Sequence, residues 1–125
     1  MRKAHPTLTP HELAIMKVVW RLEEATVRDV YEALRAKREI AYTTVMTMMK
    51  ILQEKGYLKS SRGERAFRYR PAQPRHQVVG AIVRDFVDRV FDGAAAPLLL
   101  HLAKEGRLSK EERRMIRRIA EEVDE

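Results

Sequence analysis

One stretch of this chain alternates with period two while everything around it repeats with the period of a helix. Between Gly56 and Pro71 the runs Tyr57–Ser61 and Arg65–Arg70 flank Arg62-Gly63-Glu64, the pattern of a β-hairpin closed by a glycine-containing turn. Two strands alone are not stable in water, so the hairpin must lean on the helical segments before it. In that arrangement Leu58, Phe67 and Tyr69 are expected to face inward. Lys59, Arg65, Arg68 and Arg70 are expected to face water or a partner.

The segments before the hairpin carry clear helix starts. Thr9, Pro10 and Glu12 form a capping box with proline at the first helical position, and Leu13, Met16, Val19 and Trp20 follow at helical spacing to about Arg21. Glu23–Asp29 breaks this helix. Thr26 and Asp29 then open a second, with Val27, Val30, Tyr31 and Leu34 on one face. Lys37–Ala41 separates it from a third helix that ends at Glu54 or Lys55, with Gly56 placed as its C′ residue. Three helices and a hairpin can close a small core of their own.

Pro71-Ala72-Gln73-Pro74-Arg75 is a proline-punctuated connector, which sets the expected domains at 1–72 and 73–125. Everything beyond it reads as helix. One helix ends at Asp92-Gly93, a short one starts at Pro97 and closes at Gly106, and Ser109 with Glu112 caps a last one bearing Met115, Ile116, Ile119 and Val123. So short a segment cannot cover its own apolar faces. Either it folds back on the first domain or it packs against a copy of itself, and the symmetric pair is favoured because such pairs are the commonest oligomers. The expected homodimer interface is Val79, Ile82, Val83, Phe86, Val87, Val90 and Phe91, then Leu98, Leu99 and Leu102, then Ile116 and Ile119.

Composition narrows the chemistry. There is no Cys, which excludes disulfides, thiolate metal sites and cysteine nucleophiles and fits a reducing cytoplasm. The longest apolar run, Gly93–Ala103, is too short to span a bilayer, and Met1–Glu12 lacks the apolar stretch of a signal peptide. No membrane insertion and a cytoplasmic location are therefore expected. His5, His11, His76 and His101 are scattered without metal-ligand spacing, and each glycine stands alone, so there is no phosphate-cradling loop. Glu23-Glu24 and Glu111-Glu112 sit beside cap and turn signals. No enzyme activity, cofactor or metal is expected.

Charge points the other way, toward binding. Residues 1–75 hold 16 Lys/Arg against 8 Asp/Glu, a net of +8, while residues 76–125 hold 9 against 10, a net of −1. A basic front suits a polyanion, nucleic acid first and an anionic membrane surface behind it. The third helix shows how. At 100° per residue Val45, Met48, Met49 and Leu52 share one side, and Thr43, Thr47, Lys50 and Glu54 lie opposite, with Thr44 and Met46 on the flanks. Threonines are mediocre helix formers, so three on one helix call for a use. A major groove admits one helix, read through its N-terminal residues. Threonine lets the backbone approach, offers a hydroxyl to phosphate or base, and meets a thymine methyl with its own. Met46 either adds apolar contact there or is an isolated surface residue. Helix N–H groups near Tyr42 and Thr43 suit a phosphate. Lys50 and the hairpin arginines Arg62, Arg65, Arg68 and Arg70 supply attraction independent of sequence. The expected DNA-contacting set is thus Tyr42, Thr43, Thr44, Met46, Thr47, Lys50, Arg62, Arg65 and Arg68. A basic module docking an acidic protein patch is the rival reading.

In order and spacing, Leu8–Trp20, Thr26–Leu34, Ala41–Leu58, Gly63–Pro71 and Phe91–Leu102 followed by Leu108–Glu112 resemble the penicillinase-repressor family of bacterial transcription regulators, the BlaI/MecI/CopY group. The resemblance implies a mainly α fold with a small β-hairpin wing: a winged helix-turn-helix domain followed by an all-helical dimerisation domain. It further implies a repressor that binds a palindromic operator, reads the major groove with its third helix, and carries Arg62 and Arg65 near the wing tip. Copper-responsive members have a C-terminal cysteine cluster, and the absence of Cys here excludes copper–thiolate sensing. Members governing β-lactam resistance are inactivated by proteolysis set off by a membrane-bound sensor metalloprotease, which cuts the best-known of them at an Asn–Phe bond. This chain contains no Asn, so that bond is missing.

Overall fold

Three of the helices begin where a side chain satisfies the first free N–H groups. Thr9 Oγ1 accepts from the Glu12 N–H at 3.2 Å while the Thr9 N–H donates to Glu12 Oε1 at 2.8 Å. The pairs Thr26/Asp29 and Ser109/Glu112 form the same reciprocal box, with all four bonds between 2.8 and 3.1 Å. The computed structural model describes residues 8–123. It contains α1 (Pro10–Leu22), α2 (Val27–Arg35), α3 (Tyr42–Glu54), β1 (Leu58–Arg62), β2 (Phe67–Pro71), α4 (Arg75–Phe91), α5 (Ala95–Lys104) and α6 (Lys110–Val123). His5 and the first residues of the expected first domain lie outside the described residues. The chain divides into two compact units, Met1–Gly80 and Ala81–Glu125.

The core of the first unit is built by α1, α2, α3 and the hairpin. Ile15, Met16 and Val19 meet Val30 and Leu34, then Val45, Met49 and Leu52, with Leu58 and Tyr69 closing the floor. Met48, placed in the core by periodicity, is partly buried and packs against it. Helix α3 ends at Gly56, whose φ of 89° is the left-handed conformation that glycine adopts without strain. The Gly56 N–H donates to the Gln53 carbonyl and the Tyr57 N–H to the Leu52 carbonyl, the paired bonds of a Schellman stop. The chain then reverses directly into β1.

Strands β1 and β2 pair antiparallel from Leu58↔Pro71 to Arg62↔Phe67. Tyr69 also exchanges two backbone bonds with Ala25, at 2.8 and 2.9 Å, so the α1–α2 connection supplies a one-residue third strand. This ties the hairpin to the helices. Phe67 corrects the inward expectation: it shares a face with buried Tyr69, yet it is 55 % exposed. Alternation sets the face of a strand but not what covers it: Phe67, near the turn end of β2, stays outside the core and lines an open groove with residues at the starts of α2 and α3. Helix α5 is a second correction, starting at Ala95 rather than Pro97. Proline two residues into a helix costs no hydrogen bond, because first-turn N–H groups have no intrahelical acceptor.

One buried ion pair fixes α1 against the end of α3. Glu12 is 4 % exposed, and Lys55 Nζ donates to both its carboxylate oxygens at 2.9 Å. Burial opposes ionisation of Glu12, but the Thr9 N–H, the Lys55 ammonium and the Thr9 hydroxyl together outweigh it and hold the carboxyl below its usual 4.5. Below 4.5 the folded form therefore binds fewer protons than the unfolded chain. The stabilisation is present above 4.5 and is lost as pH falls through the lower folded value. Glu12→Gln should cost about 1–3 kcal/mol at neutral pH. In urea titrations it should also flatten the acid limb of the stability curve, and a variant with an unchanged acid limb would remove Glu12 from this role.

Candidate nucleic-acid interface

Helix α3 is anchored by three fully buried side chains, Val45, Met49 and Leu52, so its opposite side is held rigidly in the open. Tyr42, Thr43, Thr44, Met46, Thr47 and Lys50 are all exposed on it. Its N-terminus differs from those of α1, α2 and α6. Ala41 occupies the N-cap, no side chain caps the first turn, and no acidic residue lies in it. The first-turn N–H groups and the positive end of the helix dipole are left for an outside anion.

Tyr42 is held by its neighbours on α2. Its ring meets that of Tyr31 edge-on at 5.5 Å, and the Arg28 guanidinium stands 5.6 Å from the Tyr42 ring centroid. Arg28 also reaches Glu32 at 3.6 Å, an exposed pair worth little.

The hairpin register divides its cations between two faces. Arg62 lies opposite Phe67 and so shares the face of Phe67 and Tyr69, whereas Arg68 and Arg70 share the other face with Lys59 and Ser61. Arg68 stands 3.8 Å from Glu24, both half-exposed. Arg65 sits in the turn, which is closed by the Gly63 N–H bonding the Ala66 carbonyl at 3.0 Å. A Cβ on Gly63 would come within 2.6 Å of that same carbonyl oxygen, so only glycine fits.

A groove of about 680 Å³ runs between the start of α2, the exposed face of α3 and the wing. It brings Tyr42, Met46, Lys50 and Arg65 to one place, together with Arg28 and Phe67. Thr43, Thr44 and Thr47 lie outside its lining, as do Arg62 and Arg68. Sequence reasoning passed over Arg28 and misplaced Phe67. The available signal for Arg28 was its position in the first turn of α2, two residues after the N-cap Thr26 and clear of the Val30–Leu34 face. Among the described residues no group of three or more His, Asp or Glu side chains is placed to hold a metal ion. No described helix is long and apolar enough to cross a membrane.

The second unit has a different surface. None of its described residues is buried. Ile82, Val83, Phe86, Val90, Leu99 and Ile119 are exposed, while Val87, Phe91, Leu98, Leu102 and Ile116 are half-covered, as is Val79 at the end of the first unit. Leu100, 58 % exposed, belongs with them although the helical pattern did not single it out. Phe86 and Phe91 pack edge-on at 5.8 Å, and the Phe91 ring lies 6.0 Å from that of His101.

The sequence pattern of the penicillinase repressor family matches residues 8–122. A transcriptional regulator BlaI of Mycobacterium tuberculosis is 36 % identical over 115 residues, covering 90 % of this chain and 82 % of its own. The penicillinase repressor of Bacillus licheniformis is 27 % identical over 120 residues, covering 96 % and 94 %. Among solved structures, the monomeric form of Bacillus licheniformis BlaI in complex with the blaP half-operator superposes with a TM-score of 0.51. It is 28 % identical and covers 60 % of this chain and 92 % of that one. The DNA-binding domain of the repressor BlaI gives 0.53, at 28 % identity over 59 % of this chain and 90 % of that one. These last two share the winged helix-turn-helix arrangement of α1, α2, α3 and the hairpin.

Proposed function

This chain belongs to the penicillinase repressor family, and from that premise we propose that it represses transcription as a homodimer bound to a palindromic operator. It is a DNA-binding transcriptional repressor. Residues 1–72 read the duplex and residues 73–125 pair with a second copy. Helix α3 enters the major groove, with Thr43, Thr44, Met46 and Thr47 at bases or backbone and Tyr42 and Lys50 at the strand. Arg62, Arg65 and Arg68 of the wing add attraction to the phosphates.

The observation that carries this reading is the α3 face. It is uncapped, free of acidic residues in its first turn, lined with short polar side chains and locked from behind by Val45, Met49 and Leu52. The half-operator complex of monomeric BlaI supports one winged domain per half-site. The unburied apolar side chains of the second unit support pairing there.

The protein acts where DNA is, in the cytoplasm. Release by a membrane-bound sensor metalloprotease is carried by family membership alone. Because the chain has no Asn, it requires a scissile bond other than Asn–Phe.

Fluorescence anisotropy on duplexes, with salt varied, tests the assignment. Arg65→Ala should weaken binding to every sequence and make the salt slope shallower by about one unit. Thr44→Ala or Thr47→Ala should instead relax preference at individual base pairs, by about 1–3 kcal/mol each. Salt-independent binding, or equal affinity for an acidic peptide and a duplex, would favour a protein-docking role.

A further inference from the structure

The groove between α3 and the wing has a composition that neither the core nor direct base reading explains. Its lining sets Met46 and Phe67, 37 % and 55 % exposed, beside Arg28, Tyr42, Lys50 and Arg65. Lys50 and Arg65 have no ion-pair partner among the described residues. Arg28 is held over the Tyr42 ring at 5.6 Å. Apolar and cationic side chains lining one groove match a sugar–phosphate strand, whose deoxyribose faces are apolar and whose phosphates are anionic.

Resting on the repressor reading above, we infer that this groove seats the backbone ridge separating the major groove, occupied by α3, from the minor groove under the wing. Phe67 and Arg28 are then DNA-contacting residues. A helix in one groove and a hairpin over the next leave one strand between them, and the groove lies between those two elements. Phe67 and Met46 pack on deoxyribose, while Arg28 faces the phosphate on the α2 side and Lys50 with Arg65 the other. The contact carries no sequence information, since every nucleotide presents the same sugar. It also explains why a large aromatic ring stands exposed near the wing tip, outside the core.

The test is anisotropy on a selected operator duplex and a scrambled duplex of equal length, across a salt series, with thermal unfolding as a check on folding. Phe67→Ala should lower affinity about tenfold for both duplexes and leave the salt slope unchanged, because apolar contact but no charge is lost. Phe67→Leu should recover most of that loss. Arg28→Ala should make the slope shallower by about one unit. Unchanged binding by Phe67→Ala, or a loss confined to the selected duplex, overturns the inference. Lys50→Ala separates the two levels. If it weakens binding while Phe67→Ala does not, the seat is wrong and the α3 reading stands; if neither changes binding, α3 is not the reading element.

Discussion

Val83→Asp should convert the protein to monomers at micromolar concentration and abolish tight binding to a full operator. Val83 is 48 % exposed and lies in the second unit, where no described residue is buried. The change therefore adds a charge to open surface in the protomer and leaves the winged domain untouched. In a two-fold interface the same substitution enters twice, on self-complementary patches. An unpaired carboxylate buried in such a contact costs about 3–5 kcal/mol, which is roughly 10²–10³ or more in the dimerisation constant. Operator affinity should fall with it, because two linked domains bind far more tightly than one. Half-site binding should persist. Sedimentation velocity reads the first effect and anisotropy the second. Val87→Asp, half-covered on the same helix, should act alike, and intact dimers after both changes would move the interface elsewhere.

Thr47→Glu should remove DNA binding without disturbing the fold. Thr47 is exposed at the centre of α3, and glutamate is the better helix former, so unfolding free energy should stay within about 0.5 kcal/mol of the parent. On the DNA side the new carboxylate would face phosphates and base edges. It would also sit three residues before Lys50, where it can neutralise that ammonium. Like-charge juxtaposition of this kind costs several kcal/mol; a loss of about 3 kcal/mol corresponds to roughly 150-fold in affinity. A folded Thr47→Glu variant that still bound duplexes like the parent would take α3 out of the groove.

Much of the first unit was legible because its determinants are local. The Thr9/Glu12 and Thr26/Asp29 boxes, the glycine stop at Gly56 and the turn at Gly63 depend on residues no more than a few positions apart. Helical spacing put Val45, Met49 and Leu52 inside and Thr43, Thr47 and Lys50 outside, where the structure has them. What stayed hidden depends on distant partners. The Ala25–Tyr69 bridge joins residues far apart in the chain, and nothing near Ala25 announces a strand. Phe67 was misplaced because its surroundings are set by where the starts of α2 and α3 lie, which no spacing rule records. Glu12 read as a helix cap and proved also to be half of an ion pair with Lys55, 43 positions away. The groove lining could not be assembled from pattern, since Arg28, Met46 and Phe67 come from three different elements.

As proposed, two identical winged domains, joined through their helical units, read two inverted half-sites. Selection of tight-binding duplexes from a randomised pool by the purified full chain tests it most directly. Inverted repeats with half-site centres about 10 bp apart, or a small multiple of that spacing, are expected. Recovery of single, non-inverted sites, or of no sequence preference at all, would contradict it.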